Sequence, residues 1–458
     1  MKSKVQKKAL LNEAKNLMDF IMNYCTDEEG VLRTHVDLKK RKAFGSVLIG
    51  DLGDCIPFFY WLGKEIGKKY SDWAESQLQS IMDYFNDKRV FLSVNEYGDT
   101  ILGLVLMYEL TRKETCRELA EKLIQALSKA ISRDGIVCSY VFFKKISIPV
   151  GAGSFNGLFI EELVRFYSMT NDKRYLELAS KIAYRWISSE FFRKHGLFGF
   201  EIGKTPVKGI YKMVFDILSP PPLNSHTIMM VKGNTNLIYG LLRLYEVTED
   251  KKLKDAILKW VTSVKRVMNE QGVFYSYFDV KKCKGLVVSL ESNHAILDTL
   301  LEISLVLKDE ETLKIVRSGA NAWIEYQDSS GLIPEGISEP IPRFSVGLLP
   351  RARFINPNLS RLDSQTDFLV FLLKLYGVTQ DLRYYVASQS TLEGVMKYHK
   401  SDGGYVEYVD ILSKKKINYL IETKYLSLML KSFIAHLEVL RGNKIINNKL
   451  LSNLLRDR

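Results

Sequence analysis

The sequence has few cysteines and no long apolar run, and each absence excludes a class of protein. Its five cysteines are scattered, odd in number and without a C-x-x-C pair: Cys25, Cys55, Cys116, Cys138 and Cys283. This usage argues against a disulfide framework and predicts free thiols in a reducing cytoplasm. No stretch approaches the roughly 18 consecutive apolar residues of a membrane span, and the start Met1–Lys8 has no signal-peptide core. We therefore expect a cytoplasmic protein without a membrane partner.

The charge is basic, but it is not arranged as a nucleic-acid surface. The 458 residues carry 65 Lys and Arg against 53 Asp and Glu, a formal net charge of +12. Many lysines stand at predicted outer-helix and turn positions, such as Lys173, Lys251 and Lys252. No basic stripe with interleaved aromatics and no nucleic-acid motif is present, so we expect a solvated basic surface and no nucleic-acid partner. The 46% hydrophobic content suits a globular chain with a large core.

A degenerate phrase recurs three times and indicates a repeat. Its pattern is an apolar residue, then Tyr-x-x-Thr-x-Asp-x-x and a final apolar or aromatic residue, and it occurs at Phe166–Tyr175, Leu244–Leu253 and Leu375–Tyr384. Each copy ends one apolar segment, turns within a few residues and starts another. The Asp is suited to cap the second helix, because its carboxylate accepts the free amide hydrogens of the first turn. The phrase predicts tightly connected helix pairs.

A second phrase alternates with the first. Polar residues precede a glycine that is followed by apolar residues, at Gly30, Gly135, Gly196, Gly272, Gly331 and Gly403. We expect each glycine to supply the left-handed conformation that ends an outer helix. Three tryptophans recur at corresponding outer-helix positions, Trp186, Trp260 and Trp323. They predict packing between two helix layers rather than stacking onto a ligand.

The alternation predicts an all-α protein made of helical hairpins. Amphipathic outer helices are expected at Tyr175–Ser189, Leu253–Met268 and Leu313–Tyr326. More continuously apolar inner helices, buried on all sides, are expected at Ile101–Leu110, Leu158–Tyr167, Leu237–Tyr245 and Phe368–Tyr376. An open solenoid would show the same alternation. Long, differing loops on one side of the unit instead favour a closed (α/α)6 or (α/α)7 toroid with short β-like segments in its cleft-side loops. We expect one domain over 1–440 and a basic extension over 441–458.

This pattern resembles the (α/α) toroid superfamily of glycoside hydrolases and sugar epimerases, including the N-acylglucosamine 2-epimerase and unsaturated glucuronyl hydrolase groups. The resemblance covers about Leu10 to Leu440 and is carried by the two turn phrases. Both phrases are architectural and are shared by proteins of many activities. The resemblance therefore implies the fold and favours carbohydrate chemistry without fixing a reaction.

Acidic residues cluster where five predicted inner helices begin. The sets are Asp51 with Asp54, Glu96 with Asp99, Glu291 with His294 and Asp298, Asp363 with Asp367, and Glu422 alone. Spacings of three and four put each set on one helical face. The helix dipole alone explains any single carboxylate at a helix start. Paired carboxylates on a buried helix are costly, however, and one of a pair can keep a raised pKa and act as a general acid.

These positions give the candidate site residues. Candidate catalytic residues are Asp363, Asp367, Glu291, Asp99 and His294. Candidate substrate-binding residues are Asp54, Glu96, Asn236, His226, Arg351, Arg353, Arg361, Tyr405, Tyr408 and Glu422. Arginines in the 334–361 loop favour an anionic sugar, with a solvated lid as the alternative. We expect no cofactor and no zinc, since no second His or Cys stands at ligand spacing from His294. Calcium or magnesium on the carboxylates stays open.

Three functions follow from these candidates. The leading expectation is a glycoside hydrolase on an oligosaccharide with an acidic or amino sugar, using carboxylate acid and base catalysis. The second is a sugar epimerase or isomerase that uses His294 and a second base. Of the six histidines, only His226 and His294 fall at predicted cleft positions. The third is a non-catalytic toroid that binds a glycan or a protein. The sequence predicts no oligomeric state.

Overall fold

The computed structural model describes residues 2–51, 55–87, 94–129, 131–137, 140–142, 146–148, 150–151, 153–199, 201–202, 227–230, 233–337 and 358–443. These ranges contain fifteen helices and fifteen short strands. Seven are outer helices: α1 (Lys2–Tyr24), α3 (Lys68–Asp87), α5 (Glu114–Ser128), α7 (Lys173–Ile187), α10 (Lys251–Val264), α12 (Glu310–Glu325) and α14 (Leu382–Tyr398). Seven are inner helices: α2 (Ile56–Ile66), α4 (Val94–Thr111), α6 (Gly153–Thr170), α9 (Thr235–Thr248), α11 (Leu290–Leu307), α13 (Leu362–Thr379) and α15 (Thr423–Leu440). A short helix α8 (Glu190–His195) follows α7.

The inner helices form a closed ring. Each packs against the next in chain order, from α2 through α4, α6, α9, α11 and α13 to α15, and α15 packs against α2. Each of the first six inner helices also packs against the outer helix that follows it, while α15 packs against α1. The predicted toroid is confirmed, with seven hairpins among the described elements. An open solenoid is excluded because its ends would not meet.

The hydrophobic pattern explains the two layers. Outer helix α7 buries Tyr175, Ala179, Ile182 and Trp186 on one face, at the spacing of an amphipathic helix. Inner helix α13 is buried around most of its circumference. Trp186 and its counterparts in α10 and α12, Trp260 and Trp323, are each 0% exposed, which confirms that they pack between the layers.

The tight turns behave as the first phrase predicts. The carboxylates of Asp172, Asp250 and Asp381 each accept a hydrogen bond from the backbone N–H two residues later, at the start of α7, α10 and α14. These bonds satisfy amides that the first helical turn leaves free. Inner helices α4, α11 and α13 begin earlier than their predicted apolar segments, because each has polar residues in its first turns.

The glycine prediction is correct in conformation but wrong in position for most copies. All six glycines have a positive φ, between +67° and +97°. Only Gly196 directly follows a helix, α8. Gly331 instead lies several residues beyond the end of α12, in a turn where Asp328 Oδ1 accepts hydrogen bonds from the N–H groups of Ser330 and Leu332. A short hairpin turn, rather than a helix cap, therefore requires the left-handed conformation there.

The fifteen strands of the described chain all lie in connections that lead from an outer helix to the next inner helix. They are β1 (Arg33–Asp37), β2 (Lys42–Val47), β3 (Tyr140–Phe142), β4 (Ile146–Ile148), β5 (Val150–Gly151), β6 (Glu201–Ile202), β7 (Thr227–Met229), β8 (Tyr277–Asp279), β9 (Lys284–Leu286), β10 (Leu359–Arg361), β11 (Lys400–Ser401), β12 (Gly404–Tyr405), β13 (Tyr408–Asp410), β14 (Lys416–Ile417) and β15 (Leu420–Glu422). They form three-stranded sheets β15-β1-β2, β7-β8-β9 and β10-β13-β14 and the pairs β3-β4, β5-β6 and β11-β12, all antiparallel.

Two further sequence expectations concern cysteines and membranes. Within the described ranges, Cys25, Cys55, Cys116 and Cys283 carry free thiols, as predicted. Cys138 lies outside those ranges. No helix of the described chain has both the length and the apolar character needed to cross a bilayer.

Candidate functional site

The starts of several inner helices meet around one buried arginine. Arg361 is the last residue of β10, and α13 begins at the next residue. Antiparallel pairing sets Arg361 opposite Tyr408 on β13, which brings Glu407 to the same place. The Arg361 side chain is only 3% exposed. A buried guanidinium requires negative partners, because water no longer solvates its charge.

Three carboxylates supply those partners. Arg361 Nη1 lies 3.2 Å from Glu291 Oε2, at the start of α11. Arg361 Nη2 lies 3.0 Å from Asp363 Oδ2, in the first turn of α13. Arg361 Nε lies 3.6 Å from Glu407 Oε1. Nη2 also donates a hydrogen bond to the Tyr425 hydroxyl at 3.0 Å, so α15 joins the same group.

A fourth carboxyl group, Glu335, lies beside this set and is fully buried. Its backbone is fixed on both sides, because its N–H donates to Leu359 O and its carbonyl accepts from Leu290 N–H. Among the described residues, neither of its carboxyl oxygens has a hydrogen-bond partner. Burial raises the pKa of Glu335 well above its ordinary value, against the opposing effect of Arg361. We call Glu291, Glu335, Arg361, Asp363 and Glu407 the rim cluster.

The rim cluster holds more carboxyl groups than its one cation can balance. Burial also raises the pKa of Glu407, again opposed by Arg361. Glu291 and Asp363 instead pair directly with the two terminal guanidinium nitrogens. The arrangement therefore combines two carboxyl groups of raised pKa with two that form direct ion pairs with Arg361, and acid and base catalysis uses carboxyl groups in such different environments.

The rim cluster continues toward the start of α15. The Tyr425 hydroxyl donates to Glu422 Oε1 at 3.4 Å. Lys424 Nζ lies 3.5 Å from Glu422 Oε2 and 3.0 Å from Asp51 Oδ1, just before α2. Glu422 and Asp51 are thus linked across the point where the last inner helix meets the first.

A cavity of about 280 Å³ lies inside the ring, below the rim cluster, and we call it the axial cavity. Six inner helices line it, from α4 to α15, α2 excepted. His294 follows Glu291 by three residues on α11, and Asp367 follows Asp363 by four on α13. One helical turn is about 5.4 Å along the axis, so the axial cavity begins one turn below the carboxylates of the rim.

The upper part of the axial cavity contains a His–Asp–Lys set. His294 Nε2 lies 3.5 Å from Asp367 Oδ2, and Lys431 Nζ lies 3.2 Å from Asp367 Oδ1. The Asp367 and Lys431 side chains are about a quarter exposed, at 25% and 24%, so a ligand can reach them. Burial favours a higher pKa for Asp367, but Lys431 and His294 outweigh it, and the pKa lies below its ordinary value.

The lower part of the axial cavity contains a buried ion pair, and a second pair lies beyond it. Lys374 Nζ lies 2.7 Å from Asp298 Oδ1, with both side chains buried, and burial lowers the pKa of Lys374. One turn further down, Arg243 Nη2 lies 2.6 Å from Glu302 Oε2. The described residues at this end of the axial cavity are therefore charged and paired.

Several predicted residues come together. Glu291, Asp363 and Arg361 belong to the rim cluster, with Tyr408 and Glu422 next to it. His294, Asp367 and Asn236 line the axial cavity. Helix spacing therefore brought candidate residues from α9, α11, α13 and α15 to one end of the ring.

Other predicted residues lie elsewhere. Asp99 is half-buried on α4 and is not among the described residues that line the axial cavity. Leu102, three residues later on the same helix, does line it. Tyr405 is 1% exposed on β12, on the side of the molecule where Gly404 meets Phe20 of α1, so it does not offer a stacking surface to the cleft. Asp54, His226, Arg351, Arg353 and the side chain of Glu96 lie outside the described residues.

Sequence reasoning missed Glu335, Glu407, Lys374 and Lys431. Glu335 and Glu407 lie in connections, where helical spacing gives no information. Lys374 and Lys431 did carry a signal, because each is a charged residue within an otherwise apolar inner helix. A lysine at a position buried on all sides requires a carboxylate partner, and this requirement points to Asp298 and Asp367.

Comparison with known proteins gives the fold. No protein-family model and no curated protein matches the chain. Among solved structures it is similar to an α-1,2-mannosidase from Trichoderma reesei (15% identity, TM-score 0.68, 95% of this chain and 93% of that chain). It is also similar to cellobiose 2-epimerase from Bacillus thermoamylovorans B4167 (12% identity, TM-score 0.55, 93% of this chain and 99% of that chain). A third similar structure is unsaturated glucuronyl hydrolase from Bacillus sp. GL1 (13% identity, TM-score 0.51, 86% of this chain and 97% of that chain). The chain therefore shares the (α/α) toroid fold of these proteins, as its repeats predicted.

Proposed function

We propose that this protein is a carbohydrate-active enzyme that hydrolyses a glycosidic bond at the rim cluster. The observation that supports the proposal is the set of four carboxyl groups around the single buried guanidinium of Arg361. Glycosidic hydrolysis uses two carboxyl groups, one to protonate the leaving oxygen and one to activate water or attack carbon. Structures of the same fold are named as a mannosidase and a glucuronyl hydrolase, which agrees with this chemistry.

The roles follow from charge and exposure. Glu407 is the candidate general acid, because its pKa is raised while its side chain remains 14% exposed. The candidates for the base or nucleophile are Glu291 and Asp363, at 17% and 10% exposed, since each forms a direct ion pair with Arg361. Glu335 is buried too deeply to touch a substrate. Its raised pKa lessens the number of negative charges that Arg361 must balance.

The axial cavity supports action on the end of an oligosaccharide. It lies next to the rim carboxylates, and buried ion pairs of Lys374 and Arg243 lie on its other side. We expect a single terminal sugar to occupy it. The bond that joins this sugar to the rest of the substrate would then lie at the level of the rim cluster.

The test is hydrolysis of a panel of neutral, amino-sugar and uronate oligosaccharides by the full-length protein and its variants. With the substrate that is turned over, Glu407→Gln and Asp363→Asn are each expected to lower kcat by about 10²–10⁴-fold. Glu310→Gln, an exposed change at the start of outer helix α12, is the matched control and should retain full activity. Folding of each variant is checked by circular dichroism.

Two outcomes would contradict the proposal. One is the absence of hydrolysis across the whole panel. The other is turnover that survives both Glu407→Gln and Asp363→Asn. Saturable sugar binding with no turnover would instead favour the non-catalytic toroid.

A sugar epimerase is the second candidate, and one observation favours it. His294 lines the axial cavity, and its Nδ1 is buried without a hydrogen-bond partner among the described residues. A ring nitrogen so placed is a candidate base for taking a proton from a sugar carbon. Incorporation of solvent deuterium into recovered sugar, abolished by His294→Gln, would support epimerisation over hydrolysis.

A further inference from the structure

We infer that the axial cavity binds an uncharged sugar ring and disfavours sugars that carry a carboxylate. The inference rests on the proposed function and names the substrate class of the same site. It concerns binding alone, so it can be tested without turnover. The observation behind it is that the charged side chains of the axial cavity are paired with one another. The inferred neutral ligand differs from the anionic sugar that the loop arginines led us to expect.

Cations and carboxylates of the axial cavity occur in equal number. Three cations and three carboxylates are among its described lining residues. Lys431 pairs with Asp367 at 3.2 Å, and Lys374 pairs with Asp298 at 2.7 Å. The third pair, on α6, is Arg165 with Glu161 at 3.1 Å. Each lining cation therefore already has a carboxylate within ion-pair distance.

Neighbouring groups add negative rather than positive charge. Glu162 is 1% exposed and acts on Arg165 together with Glu161. Arg361, the arginine of the rim cluster, already lies within ion-pair distance of Glu291, Asp363 and Glu407. A substrate carboxylate entering the axial cavity would have to compete with these carboxylates for each described cation. Like charges in a poorly solvated site repel, so binding of an acidic sugar is opposed.

The same groups suit hydroxyls. A sugar hydroxyl donates one hydrogen bond and accepts others, and each lysine–carboxylate pair offers both a donor and an acceptor. The Asp367–Lys431 pair is reachable from the upper part of the axial cavity. His294 Nδ1 adds a buried ring nitrogen without a partner among the described residues, which a hydroxyl can engage. Charge-assisted hydrogen bonds of this kind are stronger than those between neutral groups.

The experiment compares glucose, mannose and galactose with glucuronic, mannuronic and galacturonic acids by ligand-observed NMR titration of the full-length protein at pH 7.5. Each neutral sugar is compared with the uronic acid derived from it. For the neutral sugar that binds most tightly, the affinity is expected to be at least tenfold higher than that of its uronic acid. Asp367→Asn removes the carboxylate that pairs with Lys431. In this variant the preference for the neutral sugar should fall at least tenfold, which is about 1.4 kcal/mol.

Two further variants sharpen the test. Asp255→Asn makes the same charge change on the exposed face of outer helix α10 and should leave the preference unaltered. Lys431→Met removes one positive charge next to Asp367 and should weaken binding of the uronic acid further. The inference is overturned if the wild-type protein binds the uronic acid as tightly as the neutral sugar or binds neither. It is also overturned if Asp367→Asn acts no differently from Asp255→Asn.

This outcome is separable from that of the proposed function. Selective binding of neutral sugars by a protein without hydrolytic activity would sustain the inference and reject the hydrolase. Hydrolysis of a terminal uronate by the rim cluster would do the reverse.

Discussion

Replacing Lys374 by methionine should destabilise the fold more than any surface charge change. Lys374 is 1% exposed and its partner Asp298 is 9% exposed, at 2.7 Å. Without the ammonium, Asp298 keeps the Tyr239 hydroxyl at 3.4 Å as its nearest described donor and must stay charged inside the ring or take up a proton. Removing one member of a buried pair costs about 3–5 kcal/mol. That is a large share of a total stability of about 5–15 kcal/mol.

The assay is urea denaturation at pH 7, followed by circular dichroism, for Lys374→Met, Asp298→Asn and the double variant. Because the double variant leaves no unpaired charge, its stability should recover to within about 1 kcal/mol of wild type. The coupling energy of the cycle should then be several kcal/mol. A Lys374→Met loss below about 1 kcal/mol, with additive effects in the double variant, would refute the reasoning, since exposed pairs behave in that way.

Two other outcomes can be measured on the same protein. His399 is fully buried, and burial lowers its pKa from 6.5 to about 4, so its contribution to stability is complete above pH 6.5 and is lost as the pH falls toward 4. Unfolding free energies measured from pH 8 to pH 4 should fall less steeply in His399→Gln, and an unchanged slope would exclude this group. Gly331→Ala should cost more than Gly272→Ala: both have positive φ (+85° and +82°), but a Cβ at Gly331 would lie 2.1 Å from Ser390 O. Equal losses in denaturation of the two variants would show that only the backbone conformation matters there.

Local rules in the sequence predicted the ring. Capping by Asp172 and its counterparts follows from neighbouring residues, and the burial of Trp260 follows from its place on an amphipathic helix. Helical spacing likewise put Glu291 and Asp363 at the ends of adjacent inner helices. Each of these inferences needed fewer than about ten consecutive residues, which is the range over which helix geometry acts.

The remainder of the site depends on pairing between distant segments. Glu407 reaches Arg361 because β10 and β13 are paired with Arg361 opposite Tyr408. A shift of one residue in that register would turn these side chains to the other face, and nothing in the local sequence fixes it. Glu335 is held by hydrogen bonds to Leu359 and Leu290, which are likewise non-local. Helical spacing therefore could not predict Glu335 and Glu407 as members of the rim cluster, whereas it did predict Glu291 and Asp363.

The ring is closed by segments from opposite ends of the described chain: β1 pairs with β15, and α1 packs against α15. During synthesis, the contacts of α1 with α15 and of β1 with β15 can form only after the intervening helices have been made, although α1 also packs against α2. Contacts of such high sequence separation slow folding, and nascent chains with exposed apolar surface are prone to aggregate. We therefore expect closure of this seam to be a late step of folding.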